Sequence, residues 1–360
     1  EGPAMGNILD ELSKVTYLHR IIIGLHRADE RQFRRARDFF ARLPQEHVVL
    51  WSDSPRMSEL DAKLAEMGLA PQEQGKGKNV WSSIGYLIAC ADSAVLALHD
   101  CDILTYEREM LARLVYPVAN PSFPYQMSKG YYPRIGGDKL NGRVTRLLVS
   151  PILIALKKVI GDRDYIDYLR SFRYPLSGEF AMRTPILPDL RIPSDWGLEI
   201  GTLSEAWRNL APKSVCQVEI SDAYDHKHQD LSPEDASKGL SRMSTDICKA
   251  IFRKLAADGT VFTPNVFRTL KATYYRTALD LLDSYANDAT MNGLSFDRHR
   301  EEKSIELFAE NIISAGQVFL DNPHETPFIP TWHRVHAADP SFLADLRTAV
   351  SEDEAEFDPA

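Results

Sequence analysis

Asp100-Cys101-Asp102 closes an apolar run, Ala94 to His99. Two carboxylates one residue apart, at the mouth of a buried strand, can hold a hard divalent cation, Mg²⁺ or Mn²⁺, over a diphosphate. Such a cation neutralises the charge that builds up when a nucleotide-sugar loses its nucleoside diphosphate. The same pair also fits a solvated loop behind a core strand, so other residues must decide. Gly75-Lys76-Gly77-Lys78 supplies glycines that let backbone approach a phosphate and a lysine to neutralise it, or a plain basic loop. Gly142-Arg143-Val144-Thr145 opens a helix, where free N–H groups favour an anion, and Arg143 adds a fork that grips carboxylate or phosphate bidentately. A glycine turn with a surface arginine is the plainer reading. Glu199, in Trp196 to Gly201, has apolar neighbours; a buried carboxylate needs a partner and is structural or catalytic. His226-Lys227-His228 follows a strand-like stretch, Ser214 to Ile220. A histidine there can complete a metal site opened by two aspartates, or belong to a polar loop. His26, His47 and His99 read as non-ligands.

These residues need a scaffold, and the first hundred positions alternate two patterns. Arg20 to Leu25, His47 to Trp51 and Ala94 to Leu98 are short apolar runs that read as buried parallel strands. Asp29 to Leu43, Ser58 to Met67 and Val80 to Ala91 carry helical periodicity between them. Strands alternating with helices imply a parallel sheet covered on both faces, with ligands beyond the carboxyl ends of the strands. Ser52-Asp53-Ser54 and Asp100-Cys101-Asp102 both fall at that edge. From about Tyr116 to Ile200 the chain reads as irregular, rich in proline, glycine and aromatics, with one helix from Val144 to Ile160. Beyond it, 233–257, 264–286 and 296–320 read as helices, and the tail from Ser351 is acidic and expected to be mobile.

With 360 residues, 44% hydrophobic and 26% charged, the chain has an ordinary globular composition. A net charge of −9 argues against a broad nucleic-acid surface. The four cysteines form no CxxC pair and no zinc spacing, as expected of free thiols in a reducing cytosol. No apolar stretch approaches the roughly 20 residues that span a bilayer. The residues ahead of Met5 read as the remnant of an added leader, outside the fold.

Taken together, the ordered set from Gly75-Lys76-Gly77 through Asp100-Cys101-Asp102, Gly142-Arg143-Val144-Thr145, Pro175-Leu176-Ser177-Gly178-Glu179 and Gly197-Leu198-Glu199-Ile200-Gly201 to His226 resembles the retaining GT-A glycosyltransferases that make glucosyl-3-phosphoglycerate, with their mannosyl relatives. The resemblance covers about Gln74 to Leu231. It implies an α/β GT-A fold, Rossmann-like, with a mostly parallel central sheet flanked by helices and a helical C-terminal extension. The expected division is 1–14 tag remnant and lead, 15–115 nucleotide-sugar-binding half, 116–231 acceptor-binding and catalytic half, 232–350 helical region and 351–360 acidic tail. By resemblance, Lys76, Ser54, Asp100 and Glu199 contact the donor, and Asp102 and His226 bind the metal. Gly142, Arg143, Val144, Thr145 and His228 hold a small anionic acceptor. The backbone at Leu176 faces the reacting centre, with Asp100 and Glu199 beside the donor sugar. The partners implied are a nucleoside diphosphate sugar, glucose rather than mannose, a phosphoglycerate-like acceptor and a second copy of the chain; no membrane is implied.

Three departures stand out. Gly24 to Glu30 replaces the family's Pro-x-Leu/Tyr-Asn-Glu segment at the nucleobase, Ser52-Asp53-Ser54 replaces Asp-Asp-Gly-Ser, and His228 stands where asparagine is common. Three other function classes are also weighed, one of them a haloacid-dehalogenase phosphatase, whose acid pair is usually followed by Gly-Thr where this chain has Ile103-Leu104. A sugar-1-phosphate nucleotidyltransferase needs a glycine-rich, arginine-containing loop that Gly24-Leu25-His26-Arg27 does not supply. A non-catalytic nucleotide-sugar binder would keep the fold and lose turnover.

Overall fold

The computed structural model describes residues 3–71, 75–222, 224, 239–323 and 329–356. In chain order these hold α1 (Pro3–Leu12), β1 (Ile21–Leu25), α2 (Glu30–Phe40), β2 (His47–Trp51), α3 (Pro55–Glu66), α4 (Lys76–Cys90), β3 (Val95–Leu98), α5 (Arg108–Ala119), β4 (Met127–Tyr131), β5 (Ile135–Gly136) and β6 (Lys139–Leu140). A π-helical turn, Thr145–Val149, leads into α6 (Ser150–Ile160), followed by α7 (Asp164–Ser171), β7 (Phe180–Arg183), α8 (Leu198–Asn209) and β8 (Val215–Glu219). The C-terminal region is helical: α9 (Gly239–Ala257), α10 (Pro264–Met291), α11 (Arg298–Asp321), α12 (Trp332–Ala338) and α13 (Phe342–Glu356).

Local chemistry accounts for the early elements. Asp29 caps α2 in a reciprocal box with Gln32, and Ser54 caps α3 ahead of Pro55 at the first helical position. β1 pairs in parallel with β2, Ile21 opposite His47 and Leu25 opposite Trp51. β3, however, does not continue that ladder. It belongs to a four-stranded sheet of order β3-β7-β4-β8, in which β4 and β8 are parallel and β7 is antiparallel to both its neighbours. The sheet expected to be mostly parallel is therefore mixed. Apolar periodicity reports burial and not direction, and β7 arrives from far along the chain to insert between strands that precede it.

Two segments expected to lie outside the fold are part of it. Residues 3–12 form α1, which buries Ala4, Ile8 and Leu9, the last of these in a core with Phe33, Val49 and Trp51. The acidic tail is helical and docked to Glu356. Arg56 bonds Glu352, Asp353 and Glu356, and Glu354 binds Arg37 and accepts the Val49 amide at 2.8 Å. Acidic residues held in four ion pairs by Arg56 and Arg37 do not need solvent to satisfy them. The stretch expected to be irregular contains β4, α7, β7 and the β5–β6 hairpin.

The C-terminal helices also grip α4. Trp81 and Trp332 stack with centroids 4.0 Å apart, and Trp332 Nε1 donates to the Trp81 carbonyl at 3.1 Å. A Cβ on Gly85 would lie 2.0 Å from the Trp332 ring, so only glycine admits the indole. The helix that starts at Lys76 is thereby fixed along its length.

Candidate active site

Gly75-Lys76-Gly77-Lys78 is not a loop ahead of a helix but the start of α4, with Gly75 as its cap. A Cβ at Gly77 would meet the Pro193 carbonyl at 1.8 Å, and one at Gly75 the Ser194 carbonyl at 2.6 Å. The glycines are needed for close backbone approach. This contact aims Lys76 across the sheet ends, where its ammonium donates to Asp100 Oδ1 at 2.6 Å and Glu199 Oε1 at 3.0 Å. Glu199 sits in the first turn of α8, where a carboxylate also suits the helix dipole. Lost hydration opposes the Lys76 charge, but the two carboxylates outweigh it and hold the ammonium well above the ordinary lysine range.

Beneath this triad lie two buried groups that the sequence reading did not single out. Lys129, on β4, is 1% exposed and its ammonium donates to the Ser177 carbonyl. Burial pulls it down to about 8, against the pull of Glu199 and Glu179. Glu179 is fully buried, and its carboxylate accepts from Tyr132 at 2.9 Å and Tyr224 at 2.8 Å. Burial, with the nearby Asp100 charge, pushes it up to about 7. Ser177 Oγ donates to the Gly130 carbonyl at 2.5 Å, and the Gly130 amide to the Glu179 carbonyl at 2.9 Å, so the 176–179 loop is pinned to β4.

One cavity of about 1810 Å³ collects these parts. That exceeds the roughly 300–1,000 Å³ of a single small-ligand pocket and leaves room for two substrates. Its wall runs from β1 and β3 past Lys76, Asp100, Asp102, Glu199 and Leu176 to Gly142, Arg143 and Val144. Eight of the residues expected at the site are thus brought together. Thr145 lies deeper, buried in the π-helical turn and off the cavity wall. Ser54 does not reach the cavity: it is fully buried, with its hydroxyl accepting the Met57 amide at 3.0 Å to cap α3. A serine at a strand end before proline is a helix cap first. His226 and His228 lie outside the described residues. Arg143 Nε binds Glu301 Oε1 at 3.0 Å, and Glu301 Oε2 takes Arg146 at 2.8 Å, so α11 props the Gly142–Val144 turn.

The donor set suits a hard cation. Asp100 and Asp102 offer oxygen ligands on one wall of the cavity, and among the described residues no group of three metal-ligating side chains closes around them. Mg²⁺ and Mn²⁺ bind in this manner, through one or two carboxylates with the remaining positions taken by water and phosphate oxygens. All four cysteines are unpaired, and among the described residues no helix is long and apolar enough to cross a membrane.

The chain is similar to known proteins along nearly its whole length. The chain is 43% identical to the glucosyl-3-phosphoglycerate synthase of Persephonella marina over 98% of its own length and 87% of that protein's. It is 35% identical to the enzyme of that name from Methanococcoides burtonii, over 99% and 88%. Among solved structures, glucosyl-3-phosphoglycerate synthase from Mycobacterium tuberculosis, in complex with Mn²⁺, uridine diphosphate and phosphoglyceric acid, matches with a TM-score of 0.51 at 20% identity, covering 72% of this chain and 76% of that one. This likeness bears out the GT-A fold. No family model matches the chain.

Proposed function

The chain belongs to the glucosyl-3-phosphoglycerate synthases, and from that premise we propose that it moves glucose from a nucleoside diphosphate to the hydroxyl of 3-phosphoglycerate with retention at the anomeric carbon. The observation that carries the reading is the single cavity joining the Lys76–Asp100–Glu199 triad to the Gly142–Val144 turn. Asp102 and His226 would hold Mg²⁺ or Mn²⁺, with Asp100 turned towards the donor, and the ion when bound neutralises charge on the departing diphosphate.

The chain's own residues do the rest by positioning. Lys76 ties one oxygen of Asp100 and one of Glu199, and the paired charge lowers the nucleophilicity of both carboxylates. That favours a front-face route. The bond from the anomeric carbon to the phosphate oxygen breaks, the acceptor oxygen bonds from the same face, and its proton passes to the departing phosphate oxygen. Arg143 and the amides beside it fix the acceptor anion and so aim its hydroxyl. Leu176 lines the same cavity.

The test is a donor screen. Purified protein with UDP-, GDP- and ADP-glucose, UDP- and GDP-mannose, and 3-phosphoglycerate should release nucleoside diphosphate from at least one glucose donor, in a manner dependent on Mn²⁺ or Mg²⁺. Release with no acceptor dependence for any donor would sink the proposal. Pyrophosphate release from a nucleoside triphosphate and a sugar-1-phosphate would favour a nucleotidyltransferase instead.

Glu301 supplies a second expectation. Its buried carboxylate spans two arginines, and Glu301→Gln keeps the shape but offers one neutral oxygen in place of two charged ones. The KM for 3-phosphoglycerate should rise about tenfold with kcat little changed, a loss of roughly 1–2 kcal/mol in charge-assisted bonding. Steady-state kinetics against acceptor concentration read it, and an unmoved KM would show that Arg143 needs no support from α11. A homodimer in a reducing cytoplasm completes the proposal: the unpaired cysteines suit that compartment, and sedimentation reads the oligomeric state.

A further inference from the structure

Arg134 follows β4 and faces the same cavity, a short way from the acceptor turn. The Asn141 amide donates to its carbonyl at 2.7 Å, and a Cβ on Gly142 would lie 3.1 Å from its Cγ. Its guanidinium stands over the rings of Tyr224, Tyr174 and Tyr132, at 5.5, 5.7 and 6.0 Å. Those rings are themselves fixed. Tyr132 and Tyr224 stack at 3.5 Å with planes 2° apart, and both hydroxyls are spent on Glu179. Nε and Nη1 of Arg134 are buried with no hydrogen-bond acceptor, and no carboxylate among the described residues pairs with the side chain. By contrast, Arg143 and Arg146 share Glu301. The aromatic faces supply some attraction, but a half-buried fork with no oxygen partner is an incomplete arrangement. It is completed by an anion arriving in the cavity.

The acceptor has two anionic ends. In 3-phosphoglycerate the reacting hydroxyl stands on C2, with the carboxylate carbon bonded directly to C2 and the phosphate carried through an oxygen on C3. Arg143 sits in the adjoining turn, tied to α11, whereas Arg134 packs on Tyr174, two residues from Leu176. We propose that Arg134 is a specificity-determining residue that takes the acceptor's carboxylate, leaving the phosphate to Arg143 and the amides of the Gly142 turn. The inference rests on the functional reading above and deepens it. Two fixed charges, one for each end of the acceptor, would set the angle of the hydroxyl between them.

Three acceptors separate the contributions: 3-phosphoglycerate, glycerol 3-phosphate, which lacks the carboxylate, and glycerate, which lacks the phosphate. Arg134→Gln should lower kcat/KM about 100-fold for 3-phosphoglycerate and for glycerate, and by no more than about threefold for glycerol 3-phosphate. The wild-type preference for 3-phosphoglycerate over glycerol 3-phosphate should therefore collapse. Arg134→Lys, which keeps the charge and the packing stem, should lose less. A residue that merely braces the tyrosines would cost the same factor with every acceptor; that result, or no loss at all, overturns the inference. Calorimetric binding of 3-phosphoglycerate and glycerol 3-phosphate to wild type and both variants gives the same comparison without turnover. A wild type that binds 3-phosphoglycerate yet transfers no glucose would defeat the functional reading while leaving the carboxylate preference measurable. Equal binding of both compounds to wild type would defeat the inference alone.

Discussion

Asp102→Ala should give a folded protein whose kcat for glucose transfer is on the order of 10³-fold below wild type, a loss of about 4 kcal/mol of transition-state stabilisation. The side chain stands on the cavity wall just past β3, where a carboxylate contributes charge to the site and little to packing. Its neighbour Ile103 anchors the segment, fully buried in a core with Tyr106 and Met110. Removing the carboxylate leaves that anchor in place, so melting should shift by no more than about 2 °C. Near-native melting with lost turnover distinguishes a site residue from a structural one. Calorimetry adds an independent readout: in the presence of nucleoside diphosphate, the variant should bind Mn²⁺ on the order of 10- to 100-fold more weakly than wild type. Turnover within tenfold of wild type would remove Asp102 from the metal site.

Much of this scaffold is readable without coordinates, for a physical reason. β1, β2 and β3 are apolar runs as expected, although only β2 is buried while β1 and β3 are half-buried along the cavity, and α8 and α10 carry regular apolar stripes. β4 is different. Met127-Ser128-Lys129-Gly130 is fully buried yet contains a serine, a lysine and a glycine, because the strand runs beneath the site and its polar atoms face the loop that carries Leu176. A pattern that equates burial with apolar character passes over it, and Lys129 with it. Arg134 is missed for the same reason: its partners are three tyrosines from 132, 174 and 224, which only the fold assembles. Strand pairing escapes as well, since nothing in Phe180 to Arg183 specifies that it lies between β3 and β4. The order of short motifs succeeds where periodicity fails, because Lys76, Asp100 and Glu199 converge from three elements.

Gly178→Ala should cost about 100-fold in kcat without replacing a single charged residue, since a displacement near 1 Å at a reacting centre is worth about that much. The new Cβ would lie 2.4 Å from Asp100 Oδ2 and 2.7 Å from its Cγ, distances that no real methyl tolerates. Something must move, and the loop is poorly placed to do so. Ser177 is bound to the Gly130 carbonyl, Lys129 holds the Ser177 carbonyl, and the Gly130 amide holds the Glu179 carbonyl. Asp100 is tied on its other oxygen to Lys76. The weaker restraint is the Asp100 side-chain torsion, so the carboxylate should turn, loosening Lys76 and with it Glu199. Overpacking of this kind costs roughly 1–3 kcal/mol of stability, small enough to leave the protein folded. Gly6→Ala, where no atom lies within 4 Å of the added methyl, is the matched control and should retain wild-type turnover. If Gly178→Ala turns over like that control, then Asp100 is free to shift within the working site, and the fixed geometry argued for the Lys76 triad is not what positions the donor.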